Sequence, residues 1–267
     1  MAATAMLFPG QGSHEAGMDA PYRGHPLLER GLEQLGEDPF ERLDEGTRWQ
    51  QPALFLASVA AWDEARPEAV AAAGHSLGEY AALHAAGVLG FEDALRLVDV
   101  RARAMAEAGE TSPGGMVAML GGDEEAVRAL AERHGLVVAN DNAPGQLVLS
   151  GALDAVRAAA DGARDAGARA RELPVSGAFH SPLMEPAADA LRAALAEVEP
   201  GPAGVEVWSN GTARPFGDVR EELAANLLRP VRWRETILAL REQGVTEFAE
   251  LGPGSVLTGM VKRTVRG

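Results

Sequence analysis

Ala71-Ala72-Ala73-Gly74-His75-Ser76-Leu77-Gly78-Glu79-Tyr80 is the stretch whose reading decides the fold. The apolar run from Ala69 to Gly74 suits a central strand, and the small residues from Leu77 to Ala86, closed by Gly87, suit a helix. Between them lies Gly-x-Ser-x-Gly, the pattern of a serine carried on a sharp strand-to-helix turn. A side chain at either flanking position would clash, hence glycines. The helix N-terminus behind the serine supplies amide donors and positive potential where an oxyanion would form. The same residues also fit a tight turn with a solvent-facing serine.

Upstream, Ala5-Met6-Leu7-Phe8 reads as a buried strand stopped by Pro9-Gly10-Gln11-Gly12-Ser13. Gly24 to Gln51 holds loosely amphipathic helical pieces. Residues 52–65 read as a buried helix with Pro52 in its first turn. Downstream, Phe91 to Ala108 is a long amphipathic helix, and composition changes at Thr111-Ser112-Pro113-Gly114-Gly115. Strand, helix, two strands, helix and strand follow, at Met116–Leu120, Asp123–His134, Leu136–Ala139, Gln146–Ser150, Leu153–Gly167 and Ala168–Leu173. That order is the ferredoxin-like arrangement. The expected architecture is therefore α/β. An α/β-hydrolase-like large domain (residues 1–113 and 178–267) carries a parallel central sheet, and residues 114–177 form an inserted small ferredoxin-like domain. Val205–Trp208 and Thr246–Phe248 are further strands of the large unit.

Composition removes whole classes of function. The 267 residues include 24 Lys+Arg, 39 Asp+Glu, six His and no Cys. The absence of Cys excludes thiolate metal sites and a cysteine nucleophile, and no metal site is expected. A net charge of −15 speaks against binding nucleic acid. No uncharged run is long enough to span a membrane, and Met1 to Phe8 lacks the basic residue of a secretory signal. A cytoplasmic protein acting as a monomer is expected.

A serine alcohol needs a base. Of His14, His25, His75, His84, His134 and His180, the neighbour His75 points away on a sharp elbow. His14, His25, His84 and His134 lie in polar or helical settings that suit the surface. His180 follows Val175-Ser176-Gly177-Ala178-Phe179, in the loop returning from the inserted unit, where catalytic groups often sit; an ordinary loop histidine fits equally. On the helix from Phe91, the residues Phe91, Ala94, Leu95, Val98, Ala102 and Met105 form one stripe. Arg101 falls about 60° from its centre, and Arg96 and Arg103 roughly opposite. An arginine at the edge of a buried stripe calls for a carboxylate, either internal or from a substrate.

In Phe8-Pro9-Gly10-Gln11-Gly12-Ser13, Gly74-His75-Ser76-Leu77-Gly78-Glu79-Tyr80, Val98-Asp99-Val100-Arg101, Asn140-Asp141-Asn142-Ala143-Pro144-Gly145-Gln146, Gly177-Ala178-Phe179-His180-Ser181, Pro230-Val231-Arg232-Trp233 and Leu251-Gly252-Pro253-Gly254, the chain resembles the malonyl-CoA:acyl-carrier-protein transacylases and related polyketide acyltransferase domains. The segment between Gly36 and Trp49 is about a dozen residues shorter than is usual there. The resemblance implies a malonyl group carried from malonyl-CoA, through an ester on Ser76, to the phosphopantetheine thiol of an acyl carrier protein. His180 is then the base, the Gln11 and Leu77 amides the oxyanion hole, and Arg101 the malonyl-carboxylate ligand. The backbone carbonyl of Asn226 orients His180, and Asn142 and Gln146 lie near the cleft. No cofactor is implied. Phe179 before His180 resembles the type that selects malonyl over methylmalonyl. An acidic carrier implies a basic docking patch, at Lys262, Arg263 and Arg266 or at Arg229, Arg232 and Arg234. An acyl hydrolase on the same scaffold, or an inactive docking module, is the alternative.

Overall fold

The computed structural model describes residues 3–266, so the outermost ends of the expected large unit fall outside it. The chain runs through β1 (Thr4–Phe8), α1 (Pro26–Leu35), a 3-10 segment (Pro39–Glu45), α2 (Thr47–Ala65), β2 (Ala71–Gly74), α3 (Gly78–Ala85) and α4 (Phe91–Thr111). Next come β3 (Gly114–Leu120), α5 (Glu124–Arg133), β4 (Val137–Ala143), β5 (Gln146–Ala152), α6 (Leu153–Gly162) and β6 (Arg169–Glu172). The last part holds α7 (Glu185–Leu195), β7 (Glu206–Ser209), β8 (Arg214–Pro215), α8 (Val219–Ala225), α9 (Trp233–Glu242), β9 (Glu247–Glu250) and α10 (Val256–Arg266).

The first sheet has the order β8-β7-β2-β1-β9, parallel except for the short β7–β8 hairpin. Alternation along its inner strands sorts side chains to two cores, as strand geometry requires. Met6, Phe8, Ala72 and Val207 face the core beneath α2, α3 and α4. Ala5, Leu7, Ala71, Ala73 and Trp208 face the one that holds Trp233, Ile237 and Leu257. The three alanines of β2 bring helices close on both faces, which a central parallel strand demands.

The second sheet is antiparallel, in the order β4-β5-β3-β6, with α5 and α6 packed on it. The expected mixed α/β architecture, a parallel sheet and a separate antiparallel one, is what the chain adopts. The two sheets are joined by backbone. Val231 N donates to Ala139 O (2.8 Å), and Asp141 N donates to Val231 O (2.9 Å), so edge strand β4 is laced to the segment before α9.

Several local expectations shift. The helix expected from residue 52 begins at Thr47, which places Pro52 in its second turn. Thr47, Gln50 and Gln51 are buried there, and their tertiary contacts outweigh the backbone hydrogen bond that the proline ring removes. The helix expected over Leu153–Gly167 breaks at Gly162 into a 3-10 turn, closed by left-handed Gly167. No helix among the described residues is long and apolar enough to cross a membrane.

Candidate active site

Three adjacent parallel strands end together, and their carboxyl ends build the site, as is usual for open α/β sheets. After β1 comes Gln11, after β2 comes Ser76, and after β7 comes Asn210. The turn at Ser76 is forced. Its φ of 52° lies in the left-handed region, which costs a residue with a Cβ of order 1 kcal/mol or more. A Cβ on Gly74 would lie 1.8 Å from the Gly78 carbonyl carbon, and one on Gly78 would lie 2.1 Å from Phe8 O. Gly74 is therefore required by the tight return of α3 over β2, and Gly78 by the packing of α3 against β1.

His180, also left-handed with φ 57°, reaches the serine from the segment between β6 and α7. Its Nε2 is 2.8 Å from Ser76 Oγ. Its Nδ1 is 2.8 Å from the Asn226 carbonyl and 3.0 Å from that of Arg229. Two carbonyls can only accept, so Nδ1 bears the proton and Nε2 is free to take one from the serine. Burial, and then the Arg101 charge, push the His180 pKa down to about 3, against a lift from the two carbonyls. The imidazole is neutral at pH 7.

Arg101 is buried, 2% exposed, rather than at the margin of its stripe, because α4 is enclosed by α2 on one side and α7 on the other. Its Nη2 donates to Ser76 Oγ (2.9 Å), and its Nη1 donates to Gln51 Oε1. No carboxylate pairs with it among the described residues, and its Nε has no acceptor. Of the two partners open to it, the internal one is absent. An unpaired cation held out of water is costly, and this one rests against the serine oxygen.

The Leu77 and Gln11 amides donate to no protein acceptor among the described residues. The Gln11 side chain bridges Thr47 Oγ1 (2.9 Å) and Gln50 Oε1 (3.0 Å), which fixes the loop after β1. The cleft over Ser76 is lined by Gln11, Asn142, His180 and the apolar Met116, Val148 and Phe179. Gln146 opens β5 away from the cleft, and its Oε1 accepts from Arg263 Nη1 (3.1 Å).

His75 also lines the cleft but makes no hydrogen bond to the serine. It packs edge-on to Trp233 with Nε2 2.8 Å from Asn142 Oδ1, and burial lowers its pKa. Two surface expectations fail. His84 sits among Phe55, Trp62 and Phe91, and His14 lines the cleft. Of the second basic cluster, Arg232 pairs with Glu235 and Arg234 with Glu124 and Asp141, while exposed Arg229 has no carboxylate partner among the described residues.

Three residues escaped the sequence reading: Gln51, Glu79 and Asn210. Asn210 Oδ1 accepts from Ser76 N (2.6 Å), and its Nδ2 donates to Gly74 O (2.7 Å). The one sequence signal was a polar residue at the carboxyl end of a strand. Glu79 stands within the serine motif without a role assigned from sequence, and it is 3% exposed.

The acyl transferase domain family matches residues 33–267. A malonyl CoA-acyl carrier protein transacylase of Salmonella typhimurium is 40% identical over 285 residues, which cover 98% of this chain and 92% of that protein. The polyketide biosynthesis protein ThaF of Burkholderia thailandensis is 42% identical over 279 residues, 97% of this chain. The chain spans only 24% of that longer relative. A solved type II polyketide malonyl-transacylase, in complex with its acyl-carrier protein, superposes with a TM-score of 0.92 at 39% identity, covering 99% of this chain and 94% of that one.

Proposed function

The chain belongs to the acyl transferase domain family, and from that premise we propose that it is an acyl-carrier-protein S-malonyltransferase working through a serine ester. The observation that carries the reading is the contact of Ser76 Oγ with both a neutral histidine and a buried arginine that has no carboxylate in ion-pairing contact among the described residues.

Ser76 Oγ passes its proton to His180 Nε2 and attacks the malonyl-CoA thioester carbonyl. The negative charge formed on that oxygen is met by the free amides of Leu77 and Gln11, at the positive end of α3. Collapse breaks the carbon–sulfur bond, and the CoA sulfur leaves with the proton held by His180. In the second half, the phosphopantetheine thiol of the carrier protein gives its proton to His180 and attacks the malonyl ester. Ser76 Oγ then leaves and recovers the proton. Each half-reaction balances in atoms and charge, so the reading calls for no metal or redox cofactor. A cytoplasmic location is part of the same reading.

Arg101 has two effects. It offers charged donors to the malonyl carboxylate, and by itself it opposes the imidazolium that must form on His180. A carboxylate bound to Arg101 cancels the second effect, so the acidic acyl group favours its own transfer. This disfavours the hydrolase reading, since a neutral acyl chain would leave the buried cation unpaired. We place Asn142 at the cleft wall through its hold on His75, and Phe179 against the acyl group. We take residues 114–177 as the small unit and residues 1–113 with 178–267 as the large one, a division supported by the separate antiparallel sheet of β3 to β6.

Intact mass after incubation with malonyl-CoA tests the reading. Wild type gains one malonyl group, Ser76→Ala gains none, and adding carrier protein discharges the ester. An unmodified wild type, or a modified Ser76→Ala, refutes it.

A further inference from the structure

Behind the serine turn lies a buried polar cluster outside the cleft lining. Glu79 Oε1 accepts from Asn210 N (2.7 Å) and from Asn226 Nδ2 (2.9 Å), and its Oε2 lies 3.2 Å from the same Asn226 nitrogen. Each asparagine has a second task. Asn210 holds the Ser76 amide and the Gly74 carbonyl, which are the two sides of the elbow. Asn226 offers its carbonyl to His180 Nδ1, and its Nδ2 also donates to Ser209 Oγ (3.1 Å). One carboxyl group thus joins the segment that shapes the nucleophile to the segment that orients the base.

We infer that Glu79 is a positioning residue that sets the separation of Ser76 from His180 by clamping Asn210 and Asn226 together. The inference rests on the roles given to Ser76 and His180 above. The geometry is otherwise hard to explain. A carboxyl group 3% exposed is costly to bury, and a hydrophobic residue on α3 would fill the space. Glu79 has no cationic partner within ion-pairing distance among the described residues; burial pushes its pKa up to about 8, with Arg101 and the two asparagines lowering it and Glu222 raising it. Its bonds instead go to the two elements whose relative placement the proton transfer requires. Nucleophile and base sit on segments 104 residues apart in sequence, so a cross-tie holds a spacing that neither segment can hold alone.

Glu79→Gln tests this directly. The substitution keeps volume and the Oε1 acceptor shared by Asn210 N and Asn226 Nδ2, but puts an amide NH2 in place of Oε2, 3.2 Å from Asn226 Nδ2, donor against donor. The Glu79→Gln/Asn226→Asp pair reverses donor and acceptor while keeping the residue 226 carbonyl on His180. Rates of Ser76 modification are measured with malonyl-CoA and with a small serine-directed organophosphonate, which reads nucleophile activation whatever the natural acyl donor. Misplacing a reacting group by about 1 Å costs about 10²-fold. At pH 9, where the Glu79 carboxyl is ionised, Glu79→Gln is therefore expected to lose tenfold or more, roughly, in both rates with the half-saturating malonyl-CoA concentration unchanged. The double variant recovers most of the loss.

Wild-type rates in Glu79→Gln, a loss that follows the half-saturating concentration, or a loss that the double variant fails to recover overturns the proposal. If Glu79→Gln does not fold, Asn226→Leu decides, since it cuts the tie and leaves the carbonyl in place; a wild-type rate there overturns it equally. A wild type inert to malonyl-CoA but labelled by the organophosphonate would instead strike at the acyl donor assigned above.

Discussion

Arg101→Ala probes the feature on which substrate choice turns. The guanidinium is 2% exposed, has no carboxylate partner among the described residues and contacts Ser76 Oγ at 2.9 Å. A hydrogen bond to a charged group contributes about 1.5–3 kcal/mol, so two such bonds to the malonyl carboxylate amount to about 3–6 kcal/mol. At about 1.4 kcal/mol per factor of ten, their loss lowers malonyl kcat/KM by about 10²–10⁴-fold. Acetyl-CoA responds in the opposite direction. It has no charge to offer, and the substitution removes a cation that opposes protonation of His180. The assay is competition between malonyl-CoA and acetyl-CoA, read as the ratio of acyl-enzymes by intact mass, with thermal unfolding to show that the variant is folded. The reasoning fails if the malonyl-to-acetyl ratio stays within about threefold of wild type, since that is under 1 kcal/mol and less than one charged hydrogen bond.

Phe179→Ser should raise methylmalonyl loading by about 10- to 200-fold, the worth of one methyl group in such a pocket, without altering the acetyl ratio; equal loading of both extenders by wild type would remove Phe179 from the pocket wall. Lys262→Glu with Arg263→Glu should raise the KM for carrier protein and leave that for malonyl-CoA, because these exposed cations sit on α10, the helix whose Met260 reaches the cleft. Stability against pH should separate His180 from Glu79. His180 falls from 6.5 to about 3 on folding, so its contribution is full above pH 6.5 and lost as pH drops toward 3. Glu79 rises from 4.5 to about 8, so its contribution is present below pH 4.5 and lost as pH climbs toward 8. Between pH 4.5 and 6.5 the two slopes oppose, each about 1.4 kcal/mol per pH unit. Relative to wild type, Tm of His180→Gln should therefore tilt downward with rising pH there, and Tm of Glu79→Gln upward; parallel curves would dismiss both shifts.

The turn at Ser76 was legible in the chain because its causes are local. Gly74 answers a clash that any strand-to-helix elbow of this tightness produces, whereas Gly78 also makes room for the distant Phe8 carbonyl of β1. Alternation in residues 4–8 and the helical stripe from Phe91 are equally local, set by the strand and helix periods. Pro52 misled for the converse reason: local preference places a proline at a helix start, while burial of Thr47, Gln50 and Gln51 extends this helix upstream of it. What folding alone decided lies in contacts between distant segments. The Glu79 carboxyl meets residues 131 and 147 positions away, and Arg101 takes Gln51, 50 positions back, in place of a carboxylate. No period or spacing encodes such pairs. They arise because parallel strands β1, β2 and β7 end side by side, so that buried residues from separate parts of the chain share one space and must satisfy one another there.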